Sequence, residues 1–82
     1  MEAWKPVIGK TYYGVFTGFV IEGDEKVGYL AFDDNEPVPV RFPSLLSKFQ
    51  RAIDMARTPP FEVKIIYEKD VNNEKIFKVF IQ

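Results

Sequence analysis

Residues 11–22 read TYYGVFTGFVIE. This run of β-branched and aromatic side chains predicts the longest strand of the chain. Alternation separates Tyr13, Val15, Thr17, Phe19 and Ile21 from Tyr12, Gly14, Phe16, Gly18 and Val20. The first set is the more continuous and is expected to form the inner face. Gly14 and Gly18, on the other face, would permit the coiling or bulge that lets one long strand serve two sheets.

Outward from this strand, Gly23-Asp24 signals a tight turn. A second strand follows over about 26–32, with its facing open because both alternating sets are apolar. Asp33-Asp34-Asn35-Glu36 makes the next turn. The third strand is EPVPVRF, residues 36–42. Residues two apart in a strand aim their amides at the same neighbour, so Pro37 and Pro39 remove donors from one side only. Val38, Val40 and Phe42 keep theirs on the other side. Such a strand is expected at a sheet edge or beside a gap in a barrel.

After Pro43 the period changes. Ser44 is expected to cap a helix over residues 44–57, whose Leu45, Leu46, Phe49, Ala52, Ile53 and Ala56 share an arc of about 120° at helical spacing. Thr58-Pro59-Pro60 should end it. The fourth strand, FEVKIIYE (61–68), alternates Phe61, Val63, Ile65 and Tyr67 with Glu62, Lys64, Ile66 and Glu68. A turn at Asn72-Asn73 leads to the fifth, KIFKVFIQ (75–82), where Phe77, Val79 and Ile81 alternate with Ile76, Lys78 and Phe80.

The element order is therefore β-β-β-α-β-β, in a single domain over 1–82. In order and pattern it resembles the OB-fold, with a long Gly-containing first strand, a helix between strands three and four, and a final hairpin. The resemblance implies a mainly β, five-stranded antiparallel barrel with one helix at about 44–57, in which the third and fifth strands meet weakly. An SH3-like barrel with an inserted helix and a small α+β roll share the same order.

Composition restricts the chemistry. Among 82 residues there is no Cys and no His, and 11 Lys+Arg face 12 Asp+Glu. Disulfides, thiolate nucleophiles and the usual zinc ligand sets are excluded, as is the commonest base near neutral pH. The acidic turns do not fit the EF-hand spacing, and no phosphate-loop, dinucleotide or nucleophile-elbow motif occurs. The expectation is a non-enzymatic binding domain with no metal, no cofactor and no catalytic residue. The N-terminal residues lack a signal-peptide pattern and no apolar run could span a bilayer, so a cytoplasmic protein without membrane contact is expected.

Two kinds of partner compete. Single-stranded DNA or RNA could stack on Tyr12, Phe16 and Tyr29, with Lys10, Lys26 and Arg41 following the phosphates. Residues 1–37 hold three basic and seven acidic groups, whereas residues 38–64 hold five and two. The sequence pI near 5.4 speaks against a strongly basic footprint. A protein partner, or a second copy in a homodimer, could instead use the Pro37 and Pro39 edge or the outward hairpin residues Ile66, Ile76 and Phe80. Trp4 could cover that hairpin patch or join the interface. On the helix, Met55 with Lys48 and Arg51 forms a basic patch carrying an adaptable apolar contact, or else an ordinary solvated face.

Overall fold

The computed structural model describes residues 4–82. It contains β1 (Thr11–Glu22), β2 (Glu25–Ala31), β3 (Val38–Val40), α1 (Pro43–Asp54), β4 (Phe61–Val71) and β5 (Glu74–Ile81). All strand pairs are antiparallel, in one sheet of order β3-β2-β1-β4-β5. The fold is thus mostly β, with one helix. Its sheet is open, because β3 and β5 end it and no ladder joins them.

The long strand changes phase in its middle. Between Phe16 and Gly18 the β1–β2 register shifts, a bulge that leaves Thr17 without an opposite residue. Gly18 sits at φ +126°, a backbone conformation that side chains with a Cβ rarely adopt. Before the bulge the even residues face inward, and Phe16 is fully buried while Tyr13 is 62% exposed. After it the odd residues do, so Phe19 packs against the core. Beyond the bulge the expected inner set therefore holds at Phe19 while Ile21 is 67% exposed, and before the bulge it is reversed. Phe16 belongs to the core and not to the outer face.

The core forms where β1, β4, β5 and α1 meet. Phe16 stacks on Phe49 of the helix at 4.3 Å between ring centroids and lies 5.2 Å from Phe61 of β4. Val63, Ile65, Tyr67 and Phe77 are buried as the alternation of β4 and β5 requires. Burying each such side chain contributes about 1.5–3 kcal/mol. On β2, Gly28 admits the helix. A Cβ there would lie 2.7 Å from Cδ2 of Leu46.

The helix starts one residue earlier than expected. Pro43 occupies its first turn and Phe42 its N-cap position, with no side-chain cap. Ser44 donates its hydroxyl to the Lys75 carbonyl and so ties the helix start to β5. The helix also ends at Asp54, well before the prolines. Ala56 takes φ +72°, Ala56 N–H donates to Ile53 O, and Arg57 N–H donates to Ala52 O. That paired bonding is a Schellman stop, with alanine where glycine is usual.

Trp4 closes the end of the core. Its ring lies 5.1 Å from Tyr12 and Phe32, and 5.9 Å from Phe42 and Phe77. Phe42 follows β3 and Phe77 belongs to β5, so Trp4 bridges the seam between the two ends of the sheet. It does not cover the hairpin patch. Its indole nitrogen is buried with no hydrogen-bond partner.

Candidate functional site

Antiparallel pairing brings three outward side chains into one row across the sheet. Tyr13 on β1 lies opposite Lys64 on β4, which lies opposite Phe80 on β5. Directly opposed residues point to the same side, so these three share the outer face. Tyr13 is 62% and Phe80 48% exposed. The Lys64 ammonium stands 5.4 Å from the Phe80 ring centroid, within cation–π range. The next row is Thr11, Ile66 and Lys78, with Ile66 half-buried. Ile76 lies two residues from Lys78 on the same side of β5. Lys64 thus sits within the apolar surface, and Lys78 meets Glu68 at 3.9 Å.

The outer face of β2 and β3 is built differently. Val27 is fully buried yet outside the main core cluster. Around it, the Tyr29 hydroxyl donates to Glu22 at 2.6 Å. Arg41 donates to Glu22 at 3.1 Å and also to Glu25. The Tyr29 phenol has its pKa raised above the ordinary 10.0, first by donating to Glu22, then by burial and the nearby negative charge, with Arg41 opposing. A comparable cause acts on Tyr67 of the β4–β5 hairpin, whose hydroxyl donates to Asp70.

The nucleic-acid candidates are scattered by the fold. Phe16 is in the core. Tyr12 is half-buried against Trp4 and Phe32, and its hydroxyl accepts the Val7 N–H at 2.8 Å. Lys10 and Tyr12 do line one cleft of about 400 Å³, together with Trp4, Tyr13 and Phe32. Lys26 lies elsewhere, over the Phe19 ring at 4.3 Å and bonded to Gln50. Tyr29 and Arg41 are committed to carboxylates. Among the described residues no group of three or more His, Cys, Asp or Glu side chains is placed to hold a metal ion.

Of the interface candidates, Ile66, Ile76 and Phe80 share the outer face as expected. Pro37 and Pro39 are half-buried along β3. Pro39 lies opposite Tyr29, with Val38 and Val40 opposite Leu30 and Gly28. A proline can hold only the non-bonded position, so β3 bonds β2 through its valines and turns its prolines to the open side. Met55, just past the helix end, is 75% exposed and lines the cleft between the helix and β5 with Lys48 and Arg51. Tyr13 completes the row but escapes a reading in which strand one keeps a single phase; Lys64 falls in the outward set of β4 that alternation expects. Two aromatic residues in the even set and an isolated strand glycine at Gly18 were the available signals.

No helix among the described residues is long and apolar enough to cross a membrane. Comparison of the chain with protein-family models, with curated proteins and with solved structures finds no match in any of the three.

Proposed function

We propose that this chain is a non-enzymatic protein-interaction domain that docks through the outer face of β1, β4 and β5, and that a second copy occupies this face in isolated protein. The observation that carries the reading is the Tyr13–Lys64–Phe80 row, with two large exposed rings flanking Lys64 and half-buried Ile66 in the next row. Aromatic residues on a rigid sheet are the usual anchors of interfaces, with charged groups at the rim. Symmetric pairing would bury the row twice. Each anchor contributes about 1.5–3 kcal/mol when fully buried. Association entropy opposes this by about 4–15 kcal/mol, so the self-association is expected to be weak, about micromolar at its tightest.

The OB-like barrel is part of this reading. Every pairing observed is one that a coiled five-stranded barrel of this order uses, and the one missing contact, β3 with β5, is the seam the resemblance makes weakest. Proline-blocked β3 explains why the seam does not zip, and Trp4 fills its end.

Light scattering over a hundredfold concentration range tests the function. The expected result is a mass rising from monomer toward dimer, and a Phe80→Lys variant that stays monomeric at every concentration. A mass fixed at the monomer value for both proteins rejects the homodimer. The competing reading, single-stranded nucleic acid, is favoured by the aromatic cleft that Lys10 and Tyr12 share with Trp4. Fluorescence anisotropy with labelled oligo-dT and oligo-rU decides it, since binding there must weaken steeply with salt and be lost in Lys10→Glu.

A further inference from the structure

A groove of about 230 Å³ runs between helix α1 and β5, lined by Lys48, Arg51, Ala52 and Met55 on one side and by Val79 and Ile81 on the other. The backbone along this groove is a free sheet edge. Gln82 N–H donates to Glu62 O, which marks that pair as hydrogen-bonded. Strand pairing then makes Lys64–Phe80 and Ile66–Lys78 bonded pairs as well, and turns the N–H and C=O groups of Phe77, Val79 and Ile81 away from β4. At the start of that edge Ser44 takes the Lys75 carbonyl. No strand of the described residues pairs with it further on.

The walls of the groove are basic and apolar together. Lys48 and Arg51 stand about one turn apart on the helix, and the ion pairs of the described residues involve other cations. The nearest acid on the same helix, Asp54, accepts instead from Gln50 at 2.9 Å. Met55 is 75% exposed beside them. The other end of the sheet offers no equivalent, because β3 turns Pro37 and Pro39 outward.

We propose that this groove binds an extended acidic segment of a partner protein, adding it as a strand along β5. Main-chain bonds to Val79 and Ile81 would hold the segment, an apolar side chain would seat against Met55, Val79 and Ile81, and flanking carboxylates would pair with Lys48 and Arg51. The occupant is acidic because, among the described residues, the charged groups lining the groove are the cations Lys48 and Arg51. The site is separate from the Tyr13–Phe80 face and does not depend on the homodimer.

The test uses the full chain and two labelled peptides, EEVTITEE and its basic counterpart KKVTITKK, by fluorescence anisotropy at low salt. The expected result is saturable binding of the acidic peptide only. That binding weakens at least about tenfold in the Lys48→Glu/Arg51→Glu double variant, whose exposed helix positions lie outside the core. Val79→Pro removes an outward amide without touching the β4 ladder and should abolish binding. Amide exchange at Val79 and Ile81 in the wild-type chain should slow when the acidic peptide is added. No binding, equal binding of both peptides, or unchanged exchange at these two amides overturns the proposal. So does a charge-reversed variant that binds no peptide differently but loses self-association, which would assign the groove to a second copy. Phe80→Lys should leave peptide binding intact, so failure of the homodimer and failure of this site are read separately.

Discussion

The two outer faces of one sheet are finished in opposite ways. Over β2 and β3 the polar groups answer one another: Tyr29 bonds Glu22, and Arg41 reaches both Glu22 and Glu25. Over β1, β4 and β5 large rings stand in water with one ammonium between them. The first face satisfies its own hydrogen bonds and charges, so a partner would gain little by displacing them. The second leaves apolar area exposed on strands already held by their ladders, and covering it costs little further ordering. A surface gains binding capacity from what the chain leaves unpaired, not from how many aromatic or basic residues it displays.

Breaking the assignment of inside and outside has the largest effect. Phe16→Ala is expected to cost about 3–5 kcal/mol in urea denaturation, as for a fully buried aromatic side chain. Phe80→Ala, on the exposed face, should change stability by less than about 1 kcal/mol. Equal losses at the two positions would erase the distinction between the two sides of β1 and β5.

Association comes next. A Tyr13→Lys/Phe80→Lys double variant should weaken self-association by at least about tenfold, equivalent to 1.4 kcal/mol at this scale, in sedimentation equilibrium. Arg41→Ala should leave the association unchanged, because its face takes no part. Its effect on folding stability should also stay within about 1 kcal/mol, the usual value for exposed ion pairs.

The smallest effect lies in alkaline titration. Tyr29 keeps its proton in the folded chain beyond the ordinary 10.0, so the folded state binds more protons than the unfolded one above that pH. Its contribution is fully present below pH 10 and is lost as pH rises through the folded value. The ring carbon bearing the hydroxyl should report this by NMR, and Glu22→Gln should lower the midpoint. An unmoved midpoint would mean that the satisfied face does not hold together as described.

Most of the architecture was legible in the sequence where one period ran unbroken. The facing of β5 and of β4 up to its register shift after Tyr67, the Asn72-Asn73 turn with both residues at positive φ, and the edge position of the proline strand all followed from pattern and turn chemistry. The first half of β1 did not, because alternation carries no record of an extra residue. One bulge at Thr17 exchanged the faces of Tyr13 and Phe16 and so hid one end of the exposed row. The helix ends slipped for local reasons: Pro43 suits a first turn better than Ser44 suits a cap when Lys75 supplies the serine a partner, and Ala56 turned left before the prolines were reached. The Arg41 network was invisible because Glu22 and Glu25 flank a hairpin that only folding lays beside β3. The outward facing of Ile66, Ile76 and Phe80 followed from the alternation of their two strands.

The most direct test of the central claim is a dilution series followed by amide chemical shifts. As concentration rises, the amides of Tyr13, Lys64, Ile66 and Phe80 should move together along one binding curve, while those of Val27, Tyr29 and Arg41 stay fixed. Shifts confined to the Tyr29–Arg41 face, or no shift on either face up to millimolar protein, would contradict it.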